Sequence, residues 1–401
     1  MAGRDALLVA EPQFKGAVHA TVNAALLEAA ALAFPAAPCA FLAEAGHAGW
    51  VRRALAGVSA ARAEEVAWLG LPGLPALRRV GRLRRGAAEL RVWWRVLSEA
   101  RRRGARAVLI CSATRPGILL LKLLAPLLLP GTPVAVVLHQ LNELEAERPG
   151  TPRRRPVRLE TLLRLPGPRA LRFLAPARAV HAELERRFPG LAARTVPLDL
   201  PYLWQAEAPA APPLRPGELV FGLFGGARPG TIEPFCALAR RVRERFPRAR
   251  FVLLGHLKGA PPEAEACRDV EGMSAEPLPL EELRRRAEGV HYAVWTAPVE
   301  HYRMRLSAAF LDALSFVKPC VYLDNPHLAR YAEELGDIGH PCADAEALYD
   351  TVAALLADPS PERYRRQCQS ILAGRRRLSP EAVAPTLARW LAPARESDPR
   401  D

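Results

Sequence analysis

Short apolar runs separated by longer stretches of helical period constrain this chain most. Such alternation fits parallel strands, each buried on both faces and joined by crossover helices. In the first half the runs are ALLVA (6–10), CAFLA (39–43), VAWLGL (66–71), AVLICSA (107–113), PVAVVLH (133–139) and a weaker FLAPA (173–177). In the second half they are LVFGLFG (219–225), RFVLLGH (250–256), VHYAVWTA (290–297) and PCVYLDN (319–325). Between the halves, VPLDLPYLWQAEAPAAPPLRPGE (196–218) is proline-rich and aperiodic, the composition of a semi-rigid linker.

The fold expected is therefore α/β, with two Rossmann-like domains. Residues 1–200 make the first, 201–217 the linker, 218–385 the second, and 386–401 a C-terminal helix and tail. A chain of 401 residues is long enough for two cores. In open α/β sheets ligands bind at the carboxyl ends of the strands. Two such domains facing across a cleft would put the default site there.

Charge divides the same way. Residues 1–200 carry 30 Lys and Arg against 15 Asp and Glu, a net of +15, whereas residues 201–401 carry 26 against 27, a net of −1. A nucleic-acid binder and an enzyme resting on an anionic membrane both have such a half. No nucleic-acid motif is present, and no aromatic residues interleave a basic strand surface. The helix GRLRRGAAELRVWWRVLSEARRRG (81–104) sorts by period into an expected buried face of Leu83, Ala87, Leu90, Trp94 and Leu97, with Arg84, Arg91, Arg95 and Arg102 opposite. That arginine stripe would suit docking on anionic lipid.

The start, MAGRDALLVAEP, has no positive region followed by an apolar one, so no signal peptide is expected. The run ILLLKLLAPLLL (118–129) is too short to span a bilayer and reads as a buried helix. Seven cysteines show no C-x-x-C and no zinc-like spacing, and they read as buried thiols of a reducing compartment.

Two stretches of the second half carry chemistry. LVFGLFGGARPG (219–230) reads as strand, glycine turn and helix start, with Gly225, Gly226, Arg228 and Gly230 at the place where a backbone can approach a phosphate. It lacks the G-x-G-x-x-G of a dinucleotide site. In VHYAVWTAPVEHYRMRLSAAFLDALSF (290–316), Arg303 and Arg305 precede Ser307, a candidate cap for the helix AAFLDALSF, and Asp312 lies one and a half turns in. Free N–H groups at a helix start beside guanidinium groups suit a diphosphate. Lys258, after the strand RFVLLGH, joins the candidate set. No D-x-D occurs, so arginines and helix dipoles are expected in place of a metal ion.

The segment from about 219 to 358 resembles the donor-binding domain of GT-B glycosyltransferases, nearest the large retaining nucleotide-sugar-dependent family known as glycosyl transferases group 1. The counterparts of that family's three segments are GGARPG, LDALSFVKPCVYL and GDIGHPCADAEAL. The family's Lys-Gly is Pro229-Gly230 here, which moves the basic role to Arg228, and its paired acids are Met304 and Asp312, of which Asp312 keeps the ribose side. The resemblance implies a hexosyltransferase that moves a sugar from a nucleotide-diphosphate sugar to a glycan, lipid-linked or other acceptor, with no cofactor beyond that co-substrate. It further implies a bacterial, cytoplasmic enzyme of polysaccharide biosynthesis, peripheral on the inner face of the membrane. A sugar-nucleotide 2-epimerase has the same two-domain plan but needs further cleft carboxylates. A non-catalytic membrane or nucleic-acid binder would use the basic half alone.

In the first half, the loop EPQFKGAVHATVN (11–23) follows the first strand. By resemblance Gln13, Lys15, Gly16 and His19 are acceptor-binding candidates. His139 ends the strand PVAVVLH and is followed by the polar Gln140, Asn142 and Glu143, which makes it the candidate catalytic residue near the anomeric centre.

Overall fold

The computed structural model describes residues 6–75, 77–146, 158–204, 212–258, 263, 265–297 and 303–393. The chain divides into two units. The first holds residues up to Leu203, Met304–Leu306 and the chain from Arg377; the second holds Trp204–Arg303 and Ser307–Arg376. The first unit thus ends at the start of the expected linker, and the second ends at Arg376, where 385 was expected. Residues 205–211 of the expected linker lie outside the described residues.

In the first unit the strands are β1 (Ala6–Glu11), β2 (Cys39–Glu44), β3 (Ala67–Leu71), β4 (Ala105–Ile110), β5 (Val134–Val137), β6 (Leu171–Ala175) and β7 (Thr195–Pro197). They form one sheet in the order β3-β2-β1-β4-β5-β6-β7, and every pairing is parallel. Leu8, Ala10, Val108 and Ile110 point to one face, where they meet Val92, Trp93, Val96, Leu97, Ile118 and Leu121. Leu7 and Val9 alternate with them and are as deeply buried on the other. Helices α1 (Ala20–Ala33) and α2 (Ala45–Ala56) pack together, and the C-terminal helix of the unit, Pro380–Trp390, packs on α1. That last helix explains why the chain returns to the first unit after residue 376.

Helices α3 (Leu77–Arg102) and α4 (Arg115–Leu128) lie side by side. Gly81 interrupts α3 with φ 70°. Beyond it, the buried face shares only Leu97 with the one expected. Val92, Trp93, Val96, Leu97 and Ala100 face the core, while Leu83 is 91% exposed, Leu90 46% and Trp94 53%, and Ala87 is exposed too. At about 100° per residue, the arginine row lies roughly a quarter-turn from this apolar row, not opposite it. The misleading residue is Glu89, which occupies the core face. It is buried, ion-paired with Arg85 at 2.9 Å, and accepts a hydrogen bond from the Thr114 hydroxyl at 2.9 Å. A carboxylate in the true core row left the neighbouring row as the better apolar pattern.

The strands of the second unit are β8 (Val220–Ala227), β9 (Arg250–Leu257), β10 (Val270–Glu271), β11 (Tyr292–Trp295), β12 (Cys320–Leu323) and β13 (Gly339–Cys342). Their order is β10-β9-β8-β11-β12-β13, again all parallel. Helix α5 (Pro229–Arg245) buries Ile232, Phe235, Leu238, Ala239 and Val242 against this sheet. Cys236 on α5 and Cys267 form a disulfide with Cα atoms 4.9 Å apart. This corrects the reading of all the cysteines as thiols and removes its ground for a reducing compartment. The other five are free, four of them buried. Among the described residues no helix is long and apolar enough to cross a membrane.

The close approach of α3 to α4 is built on a glycine. A Cβ on Gly117 would lie 2.5 Å from Nε1 of the fully buried Trp93. Gly117→Ala should therefore destabilise the protein by about 1–2 kcal/mol, overpacking outweighing the gain in helix propensity. Urea titration measures this, and an unchanged midpoint would mean that Trp93 turns aside freely.

Candidate functional site

At the carboxyl end of β1 the first unit buries a carboxylate. Glu11 is 1% exposed, and an ion in that position needs hydrogen-bond donors from several directions. Its Oε1 accepts from the backbone N–H groups of Gln13 (2.8 Å) and Phe14 (3.0 Å) and from the Ser112 hydroxyl after β4; its Oε2 accepts from Asn23 Nδ2 at 3.2 Å. The same Nδ2 lies 2.9 Å from His47 Nε2, and His47 Nδ1 lies 2.8 Å from Gly16 O. Because a carbonyl only accepts, His47 carries its hydrogen on Nδ1, and its Nε2 accepts from the amide. One continuous chain of polar contacts thus ties strand end, helix and loop together.

The loop it holds carries the acceptor candidates. Gly16 has φ 57°, a conformation suited to glycine, and His19 has φ 60° just before α1. Gln13 Oε1 is buried with no hydrogen-bond partner among the described residues. The Lys15 side chain lies over Gly73, where a Cβ would come within 2.7 Å of Lys15 Cε. Lys15 also stands beside Glu44. The Glu44 carboxyl is held below its usual range, first by the Gly46 backbone N–H, with His47 N–H and the Lys15 charge adding to it.

His139 completes this cluster. The ring of His19 stacks on Phe14 (centroids 4.4 Å apart) and meets His139 edge-on at 4.6 Å. Nε2 of His139 is 3.0 Å from Cys111 O, so it is the donor, and Nδ1 is left with its lone pair. Burial pushes the imidazole down to about 4; the Cys111 carbonyl opposes that shift, and the Arg305 charge adds to it. His139 is therefore neutral at pH 7, a hydrogen-bond acceptor at Nδ1 and a weak base.

In the second unit, the double glycine is not a turn. β8 runs through it to Ala227, with Gly225 opposite Gly255 and Gly226 opposite His256. Gly225 has φ 87°, and a Cβ there would sit 2.4 Å from Ala309 Cβ. At Gly226 a Cβ would collide with the Lys258 stem, 2.2 Å from Cε. These glycines therefore let two elements close on the strand end. The turn itself is Arg228, which caps α5: the Thr231 hydroxyl accepts from Arg228 N–H (3.0 Å) and donates to Arg228 O (2.9 Å). Pro229 and Gly230 open the helix, exposed. Burial of the stem and the Arg228 charge both lower the Lys258 ammonium from its usual range.

The second element is α6 (Ala308–Ser315). Ser307 is its cap, accepting from Phe310 N–H at 3.3 Å. At its other end the buried Arg375 guanidinium donates to Leu314 O at 2.9 and 3.1 Å and to Ser315 O. The helix is thus anchored at both ends, with the cation at the negative end of the dipole. A cavity of about 30 Å³ remains between Gly226, Thr231, Thr296 and Ala309.

Gly225, Gly226, Arg228, Gly230, Lys258, Ser307 and the half-buried Asp312 and Arg303 all belong to the second unit. Arg305 does not. It belongs with Met304 to the first unit, where Met304 is fully buried in the core cluster. Sequence reasoning missed Glu11, Asn23, His47, Ser112 and Arg375. Glu11 and Ser112, polar residues just past apolar runs, were the visible signal; His47 and Arg375 sit in ordinary helical patterns and gave none.

No protein-family model and no curated protein matches this chain. Solved structures do. The chain is similar to the glycotransferase of kitacinnamycin, with 14% identity and a TM-score of 0.52 over 98% of this chain and 100% of that one. It is similar to a mutant Thermobaculum terrenum O-GlcNAc transferase, with 14% identity and a TM-score of 0.54 over 97% of this chain and 68% of that one. A mutant S. aureus TarM, in complex with Fondaparinux, alpha-GlcNAc-glycerol and UDP, matches at 10% identity and a TM-score of 0.51 over 77% of this chain and 59% of that one. At such identities the likeness is one of fold, and the fold is GT-B, two Rossmann-like α/β domains in one chain.

Proposed function

We propose that this protein is a glycosyltransferase that moves a sugar from a nucleoside diphosphate sugar to a glycan or lipid-linked hydroxyl acceptor. The observation that carries the reading is the convergence at the end of β8. There Lys258 lies on Gly226, Arg228 caps α5, and Ala309 of α6 closes on Gly225. Two helix starts and two cations meet at the carboxyl end of a parallel strand, the place where an α/β domain takes a phosphate group. Likeness of fold to enzymes of glycosyl transfer, one of them in complex with UDP, supports it.

In this reading the diphosphate of the donor rests against Arg228, Lys258 and the start of α6. As the bond to the anomeric carbon breaks, the leaving diphosphate gains negative charge, which the cations and helix dipoles stabilise without a metal ion. Asp312 takes the ribose hydroxyls. In the first domain, Gln13, Lys15, Gly16 and His19 hold the acceptor, and His139 Nδ1 accepts a hydrogen bond from a sugar hydroxyl.

Thermal-shift screening against nucleoside diphosphate sugars should find a stabilising donor. Lys258→Met and Arg228→Ala should each weaken a nucleoside diphosphate by about 1.5–3 kcal/mol and leave the free nucleoside unaffected, as read by calorimetric titration. Parent-like diphosphate affinity in both variants would overturn the donor site.

A neutral His139 makes a second prediction. Its acceptor role persists as pH falls and is lost only on protonation near 4. His139→Ala should reduce kcat about 10–100-fold with donor affinity little changed. The parent's kcat should show no limb near pH 6.5 assignable to this residue. A limb there that disappears in the variant would mean that His139 titrates as a base.

A further inference from the structure

Five of the ten exposed large apolar side chains among the described residues belong to the neighbouring helices α3 and α4: Leu83, Leu90, Trp94, Leu123 and Leu127. On α3 they recur with Ala87 at spacings of four, three and four, so they form one row along a helix that runs about 30 Å beyond Gly81. Beside that row stand Arg84, Arg91 and Arg95, all exposed. Several exposed arginines elsewhere are tied to a carboxylate, as Arg102 is to Glu99, Arg186 to Glu183 and Arg330 to Glu334. Arg84 and Arg91 have no ion pair among the described residues. They instead rim a groove of about 480 Å³ floored by Ala87, Ala88 and Val92 and closed by Pro72, Gly73 and Pro75.

We infer that this face of α3, with the exposed leucines of α4, is a docking surface for an anionic lipid bilayer. A helix with an apolar row and a bordering row of arginines lies flat in a membrane interface. The leucines and the tryptophan enter the acyl boundary, and the guanidinium groups meet lipid phosphates. Charge decides against a second copy of the chain, since a two-fold contact through this row would bring its arginines against each other. The row is too apolar for a nucleic-acid backbone. The positive excess of residues 1–200 supplies long-range attraction to the same surface. Gly73, at the rim of the groove, is also the residue on which Lys15 rests, so the docked face adjoins the loop assigned to the acceptor. The docking does not depend on the transfer reading and is tested without it.

Flotation with phosphatidylglycerol-containing vesicles and with pure phosphatidylcholine vesicles, each at two salt concentrations, tests the inference. The full chain should bind the anionic vesicles at least tenfold more strongly, and added salt should weaken that binding. A Leu83→Ser, Leu90→Ser, Trp94→Ser variant and an Arg84→Glu, Arg91→Glu, Arg95→Glu variant should each lose tenfold or more. All six side chains are exposed, and circular dichroism melts confirm that both variants fold. Brominated lipids should quench the parent's fluorescence more than that of Trp94→Phe. Equal binding to both vesicle types, parent-like binding by both triple variants, or a lipid-free dimer that the serine variant dissolves would each overturn the proposal.

Discussion

Burying both faces of a parallel sheet forces the polar work of this chain onto the ends of its strands. Along β1, β4 and β5 the buried positions ahead of the carboxyl ends are apolar, and the polar groups at those ends are Glu11, Ser112 and His139. Glu11 shows what this demands. A carboxylate at a strand end that is also buried has to gather donors from its surroundings, and it does so from the following loop, from α1 and from the end of β4. The loop conformation is then a consequence of satisfying that charge. Gly16 and His19, with their left-handed backbone, are held where they are by the Glu11–Asn23–His47 chain as much as by their own preferences.

The second unit solves a related problem with different means. There the strand end carries glycines rather than a charge, and the neighbouring elements close on bare backbone. Gly225 admits Ala309, and Gly226 admits the Lys258 stem. The helix that arrives at Gly225 is itself fixed at both ends, by Ser307 at the start and by Arg375 against its last carbonyls. The first turn of a helix cannot satisfy its own N–H groups, so its rigidity has to come from its surroundings. Arg375 provides part of that from sixty residues away.

These two devices explain what the sequence made legible. Strand-length apolar runs and their spacing were sufficient for the two parallel sheets, because burial on both faces leaves a continuous signal. The short strands Thr195–Pro197, Val270–Glu271 and Gly339–Cys342 left almost none, having two to four residues and little apolar character. Gly225, Gly226, Lys258 and Ser307 were visible as types in a pattern, and the structure gathers them. The position of Arg305 was not visible. Met304 beside it reads as a substituted acid in a motif, whereas its burial in the first core draws Arg305 into that unit.

The helix α3 was misread for an instructive reason. Periodicity locates an apolar row but cannot say whether that row is inside, and here two rows compete. The row that won the core contains Glu89, whose cost of burial is offset by Arg85 and the Thr114 hydroxyl, and Trp93, whose ring needs the missing side chain of Gly117. Neither compensation is local in sequence: Thr114 and Gly117 lie about two dozen residues downstream on the next helix. The row that lost is the more regular of the two, and it carries an exposed tryptophan. A stripe this well patterned at the surface, flanked by Arg84 and Arg91, which have no ion pair among the described residues, has the physical form of an interface.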